Sequence, residues 1–216
     1  MKKSSTLTIV QTSLFAALIF VLAFVPYVGY IKVPFLAIQA TTVHIPVIVA
    51  SIVLGPKCGG ILGGVFGLTS LINNTISPSI TSFVFSPFIE VGDGLGGSPL
   101  SLIICFIPRI LVGVVPYYVY TAIQNHAKNK DKSKKFSLLI SGVAGSMTNT
   151  ILVMGMIYIF FGQEWAAAKE MEYSAVLGVI LSVIGINGTI EAVIAALITS
   201  AVVFAFYKSG FMKSRS

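Results

Sequence analysis

The sequence predicts an all-α, polytopic membrane protein: six transmembrane helices in one bundle, residues 1–216 forming a single membrane domain with both termini cytoplasmic. Three observations predict it. Of the 216 residues, 56% are apolar and 10% charged, with a mean hydropathy of +0.94. Soluble proteins carry about 25% charged residues, so this chain cannot cover a globule with a polar surface. Six stretches reach the roughly 20 apolar residues that a bilayer-crossing helix needs. The net charge of +7 sits mostly in short clusters between those stretches. That distribution fits membrane topology and argues against a nucleic-acid-binding face. Water-soluble enzymes and disordered scaffolds are disfavoured on the same grounds.

The expected spans are 7–25, 36–54, 58–76, 100–124, 137–161 and 175–207. The first follows Met1-Lys2-Lys3 like a signal peptide, but it is too long for an ordinary apolar core of one and no Ala-x-Ala site follows. It reads as an uncleaved first helix. The first, second, third and fifth spans contain no Asp, Glu, Lys or Arg; the fourth contains Arg109 and the sixth Glu191. The sixth is long enough to need a kink, expected at Gly185-Ile-Asn-Gly188. Residues 83–89 are too short to cross and read as a loop dipping toward the bundle.

Orientation follows from the basic residues. Lys2, Lys3, Lys57, Lys128, Lys130, Lys132, Lys134, Lys135, Lys208, Lys213 and Arg215 fall on one side of a six-span path. The positive-inside rule makes that side cytoplasmic. Glu90, Asp93, Glu164, Glu170 and Glu172 fall on the other, with Lys32 and Lys169. The long outer segment from Asn73 to Pro99 holds three prolines and the run Gly92-Asp-Gly-Leu-Gly-Gly97, a composition suited to a binding loop. Residues 26–34 and 162–174 are expected beside it as outer loops. No internal repeat supports an inverted-repeat transporter.

Chemistry-bearing motifs are few. No Walker sequence, H-E-x-x-H, G-x-S-x-G or paired aspartate pattern occurs, so no catalytic constellation and no ATPase is expected in this chain. Cys58 and Cys105 read as small packing residues, and no metal or cofactor spacing is present.

What remains is polar residues inside the spans. Arginine at depth costs at least about 2.5–3.5 kcal/mol, so Arg109 should face a partner or a wet cavity. It follows Pro108 and lies about 13 Å below the outer end of its helix. A guanidinium fork there suits a substrate carboxylate or phosphate; a buried pair with Glu191 or backbone carbonyls is the plainer alternative. Glu191 and Asn187 share a helix face. Glu191 has four readings: acceptor for a substrate hydroxyl, neutraliser of Arg109, proton site, or member of an internal pair. Asn149 suits a ligand or a helix–helix hydrogen bond. His44 is a packing residue or a ligand contact, and Asn73 a site residue or a helix cap. Trp165 and Tyr173 read as an interfacial aromatic belt. Together Gln39, Thr42, His44, Asn73, Arg109, Asn149 and Asn187 bring five spans to similar depth, which predicts an outward-opening polar pocket.

Small residues form two further patterns. Gly59, Gly63 and Gly67 repeat every fourth residue in span three, and Ser13, Ala16, Ala17 and Ala23 stripe span one. Such rows let helices approach closely. The first packs the bundle; the second suits packing or a docking face for a partner membrane protein.

With these features the chain resembles the S-components of energy-coupling factor (ECF) transporters, the substrate-binding membrane subunits for vitamins. The resemblance rests on Thr42-Val-His-Ile-Pro-Val-Ile-Val-Ala-Ser-Ile-Val-Leu-Gly-Pro-Lys57, the glycine-rich helix after it, and Pro108-Arg-Ile-Leu-Val-Gly113. Asn73-Asn-Thr-Ile-Ser-Pro-Ser79 and Ser82-Phe-Val-Phe-Ser-Pro-Phe88 are most similar to the pantothenate-specific members. The resemblance implies a subunit of a bacterial cell membrane that binds a vitamin from outside. It further implies docking, through the helix-one stripe at Ser13 and Ala17, onto a module of one transmembrane coupling protein and two ATPases. Toppling in the membrane would then release substrate inward. Pantothenate carries a carboxylate for Arg109 and neutral polar groups for His44, Asn149 and Asn187. An S-component for a hydroxymethylpyrimidine or pyridoxine type of precursor, and a stand-alone proton-coupled carrier using Glu191, are the alternatives.

Overall fold

The computed structural model describes residues 5–25, 29–33, 38–91 and 94–209. Lys2, Lys3, Lys213 and Arg215, used above for orientation, lie outside the described residues, as do Asp93 and the expected start of span two at Leu36. The chain is mainly helical. Four stretches are long and apolar enough to cross a membrane: Thr6–Phe24, Pro99–His126, Ser133–Ala168 and Tyr173–Lys208.

Helix α1 (Ser5–Phe24) lies on the flank of the bundle. It buries Ile19 and Ala23 against the core, yet Ile9, Val10, Leu14 and Val21 are at least half exposed. An apolar helix face left open is the surface that lipid, not water, covers.

Span two departs from expectation. Residues 36–54 do not form one helix. Instead β1 (Tyr30–Val33) pairs antiparallel with β2 (Ile38–Thr41), and helix α2 (His44–Leu54) follows. The reason is local. Pro46 has no N–H, and its ring would strike the carbonyl of Thr42 in any helix extended upstream, so α2 begins at His44. The β-branched residues before it suit a strand. At eleven residues α2 is about 16 Å long, half of a membrane crossing. All eleven are buried, and this apolar-all-round helix is the centre of the larger core cluster, with Ile19, Leu62, Phe66, Val112, Leu138 and Val203 around it.

Gly55 reverses the chain with φ +94°, a conformation open to glycine and strained for other residues. Helix α3 (Pro56–Ile76) returns antiparallel to α2, with proline in its first turn where a missing N–H costs nothing. Residues 83–89, expected as a loop dipping toward the bundle, pack on it through buried Phe83, Val84 and Ser86. The 3-10 turn Ser82–Val84 is buried, with Phe83 and Val84 fully enclosed, and a short hairpin of β3 (Glu90–Val91) and β4 (Leu95–Gly96) follows.

Span four is two helices, α4 (Pro99–Val112) and α5 (Val115–His126). Ser98 caps α4 in a reciprocal box with Ser101, whose hydroxyl also donates to the Phe83 carbonyl at 2.7 Å. The break at 113–114 precedes Pro116, which cannot continue a preceding helix for the reason given for Pro46. Helix α6 (Lys130–Ala168) passes the expected end at Phe161, where the backbone leaves helical angles and the helix kinks. Residues 162–168, expected as loop, are therefore helix. Trp165 is buried in a second apolar cluster with Phe83, Ile104, Phe161 and Val176, while Tyr173 is half exposed and stacks on Tyr158. The last rod is α7 (Tyr173–Val183) and α8 (Thr189–Lys208), joined by the π-helical turn Ile184–Gly188. That irregularity falls on the Gly-Ile-Asn-Gly segment where a kink was expected.

Candidate functional site

The glycine row of α3 decides where Arg109 sits. A Cβ on Gly59 would stand 2.0 Å from the Gly113 carbonyl oxygen, and one on Gly63 would stand 2.2 Å from that of Arg109. The two helices therefore approach backbone to backbone. Phe66, Ser70 and Asn74 follow at four-residue spacing, so their side chains share one face beside α4.

Arg109 is 6% exposed, and its guanidinium carbon lies 5.5 Å from the Phe66 ring centre and 5.1 Å from that of Phe85. Both are cation–π distances. Its Nη1 donates to the Ile104 carbonyl at 2.9 Å. That carbonyl is the one Pro108 leaves without its usual i→i−4 donor. The Pro-Arg pair thus supplies its own repair, and the repair aims the guanidinium along α4.

Arg109 forms one wall of a cavity of about 220 Å³ completed by Thr41, Phe66, Ser70, Asn74, Ser79, Thr81, Phe85 and Asn149. Apart from two aromatic rings and one cation, every lining side chain is a hydroxyl or an amide. Phe66 belongs to the larger core cluster and Phe85 packs on the second, so the cavity lies where the two clusters meet.

A hydrogen-bond network shapes the wall made by the re-entrant loop. Asn74 donates from Nδ2 to the Ser70 carbonyl at 2.8 Å and accepts from the Ser82 hydroxyl at 2.8 Å. Ser82 Oγ also accepts the Ser79 N–H at 2.8 Å, and Thr75 Oγ1 lies 2.8 Å from Ser86 Oγ. Both ends of the Asn74 amide are thereby engaged with protein. Asn149 differs: its Oδ1 is buried with no partner among the described residues. A buried oxygen left without a donor is costly until one reaches it.

Of the residues singled out in the sequence, Arg109 and Asn149 meet in this cavity. Thr42 faces the other way, into an apolar groove with Leu22, Ile45 and Val202, and bonds to Gly29. His44 is enclosed at the start of α2. Gln39 is on β2 opposite Lys32. Asn73, half-buried, is one position off the cavity face, which Asn74 occupies. Asn187 is half-buried within the π turn. Glu191 stands behind the wall: its Oε1 accepts the Thr41 N–H at 2.7 Å and its Oε2 accepts from Thr150 Oγ1 at 3.3 Å. Sequence reasoning missed Thr41, Phe66, Ser70, Asn74, Ser79, Thr81 and Phe85 as site residues. The four-residue spacing of Phe66, Ser70 and Asn74 was the available signal. On α1, Ser13 and Ala17 are exposed and Ala16 is half-buried, and Ser13 borders a surface groove with Thr12, Cys58 and Ile61.

Comparison with known proteins adds the family. A profile described as the substrate-specific component of ECF transporters matches residues 7–203. The chain is 38% identical to "Pantothenic acid transporter PanT" of Lactococcus lactis subsp. cremoris, over 97% of this chain and 98% of that protein. It is 26% identical to "Pantothenate transporter PanT" of Leuconostoc mesenteroides subsp. mesenteroides, over 94% and 93%. Among solved structures, the S-component for biotin from an ECF-type ABC transporter is similar at 16% identity and a TM-score of 0.45, covering 94% of this chain and 93% of that one. With a family match across nearly its whole length, the chain belongs to the substrate-specific S-components of ECF transporters, and it is a bacterial membrane protein.

Proposed function

We propose that the protein binds pantothenate in the Arg109 cavity from outside the cell and delivers it inward with an ATP-hydrolysing partner module. The observation that carries this reading is Arg109 in the wall of a small, otherwise uncharged polar cavity. Pantothenate is a carboxylate bearing an amide and two hydroxyls. The planar guanidinium suits the carboxylate by paired hydrogen bonds. Asn149 and the Ser70, Ser79 and Thr81 hydroxyls suit the neutral groups, and Phe66 and Phe85 the aliphatic middle. A volume of about 220 Å³ lies below the roughly 300–1,000 Å³ typical of drug-sized ligands and fits a small vitamin. The names of the two relatives support the same ligand. A pyrimidine or pyridoxine type of precursor leaves Arg109 without a carboxylate to hold.

In this reading the chain crosses the membrane six times with both termini inside, the second crossing being made by α2 together with the extended residues 38–43 before it. The lysines at 57, 128, 134, 135 and 208 then lie on the cytoplasmic face, and Glu90, Glu164, Glu170 and Glu172 outside. Helix α1, with its exposed Ser13 and Ala17, is the face that meets the transmembrane coupling protein, and ATP is hydrolysed on two separate subunits. This chain is a binding subunit and has no catalytic residues of its own.

The test is a binding titration of the purified chain with pantothenate, its carboxamide and biotin. Pantothenate alone should bind tightly. Arg109→Ala should weaken it about a hundredfold, since removing one partner of a buried charged pair costs roughly 2–5 kcal/mol. Amidating the ligand should hurt the wild type far more than Arg109→Ala. Equal losses in both proteins would remove Arg109 from carboxylate recognition.

A further inference from the structure

Strand β2 ends against the binding cavity, and its last amide is held from an unexpected direction. Thr41 lines the cavity and is opposite Tyr30 in the hairpin. Its N–H points away from that partner and donates to Glu191 Oε1 at 2.7 Å, 150 residues along the chain. The next amide, that of Thr42, turns back to the Gly29 carbonyl at 2.9 Å. The strand partner leaves this outward-facing N–H unpaired, and a half-buried backbone donor is stabilised by an acceptor from the protein. Glu191 is that acceptor. It is buried at 8% exposure in the first turn of α8, directly after the π turn. Its second oxygen accepts from Thr150 of α6 at 3.3 Å, and Thr150 in turn packs on Gly188 at the end of the π turn. One carboxylate thus ties together the hairpin, α6 and α8.

We propose that Glu191 is a positioning residue that latches the end of the β1–β2 hairpin onto the bundle and thereby sets how long a ligand stays in the cavity. The residence part rests on the Arg109 cavity being the ligand site. Glu191 touches no ligand in this account. It acts through Thr41, whose backbone it fixes as part of the cavity wall. A carboxylate does this better than a neutral group, because hydrogen bonds to a charged partner are about twice as strong.

The test pairs two readouts on the purified full chain. The first is hydrogen exchange at the Thr41 amide without ligand, compared in wild type, Glu191→Ala, Glu191→Gln and Thr150→Val. Exchange should accelerate about tenfold to a hundredfold in Glu191→Ala, the range for losing a hydrogen bond to a charged group. It should rise about threefold to tenfold in Glu191→Gln, whose amide oxygen accepts at the same place with about half the free energy, and by a smaller, still measurable amount in Thr150→Val. The second is release of radiolabelled pantothenate in a chase, which should accelerate in the same order while association changes little. Thr150→Val keeps the side-chain volume and leaves the Thr41 contact in place, so it remains informative if Glu191→Ala does not fold. Unchanged Thr41 exchange in the variants overturns the latch. Faster exchange with unchanged release, while Arg109→Ala still weakens binding, overturns the residence role. If Arg109→Ala also leaves binding unchanged, the ligand-site reading fails, and the residence role falls with it; the exchange data still decide the Thr41 contact independently.

Discussion

Gly63 offers the sharpest check on how Arg109 reaches the cavity. In Gly63→Ala the new Cβ would stand 2.2 Å from the Arg109 carbonyl oxygen and 2.7 Å from the Ile110 Cα, against an ordinary contact of at least 3.4 Å. Both obstacles are backbone, so no rotamer change relieves them, and α4 must move by about 1.2 Å relative to α3. Overpacking of this kind costs roughly 1–3 kcal/mol, while alanine regains roughly 0.5–1 kcal/mol of helix propensity. The net loss of stability is at most about 2.5 kcal/mol. Binding should suffer more. Arg109 moves with α4, to which its own Nη1–Ile104 bond ties it, whereas Phe66, Ser70 and Asn74 stay on α3. Misplacement of a polar anchor by about 1 Å can cost a hundredfold when geometry is tightly matched, so affinity should fall at least tenfold. Gly64→Ala is the control: a Cβ there meets nothing within 4 Å, so stability should hold or rise and affinity should not change. The assay is calorimetric titration with pantothenate beside thermal unfolding in detergent. Equal affinities for the two variants would refute the claim that α3–α4 contact positions the arginine.

Three further outcomes are expected. Pro108→Ala returns an N–H to the Ile104 carbonyl and competes with the guanidinium for it, so the melting temperature should rise while affinity falls severalfold; unchanged affinity would show that the back-bond does not aim Arg109. Asn149→Leu should weaken binding about tenfold, and one singly deoxygenated ligand should then lose affinity for the wild type but not for the variant, as measured by the same titration. Replacing Ser13 and Ala17 together by leucine should abolish uptake in proteoliposomes containing the complete transporter yet spare binding, because bulk on a smooth helix face blocks close approach; normal uptake would remove α1 from the docking role.

Much of this molecule was legible in one dimension because lipid is a demanding solvent. Four long apolar stretches, the irregular turn at 184–188 and the close-packing glycines of α3 all follow from local composition. The expense of burying a guanidinium likewise marked Arg109 before any fold was known, and the orphaned amide oxygen of Asn149 lies on the same cavity. Hydropathy failed where backbone chemistry overrules it. Residues 36–54 are apolar enough to suggest a span, yet Pro46 stops α2 and residues 38–41 pair as a strand of a hairpin. Hydropathy likewise cannot see the turn before Pro116, or the helix that continues past Phe161.

The family resemblance, too, rested on short segments whose meaning is local: the run of residues 42–57, the glycine-rich helix after it and the Pro-Arg segment 108–113. What tertiary structure alone decided is which polar residues share a wall. Asn74 rather than Asn73 faces the cavity because one residue turns a helix by about 100°. Thr41 rather than Thr42 lines it because β2 ends at Thr41 and the chain turns there into α2. Glu191, readable as a partner for Arg109, takes a backbone amide from the far end of the chain instead. Partners 150 residues apart are set by how the helices pack, and no local pattern in the sequence records that distance.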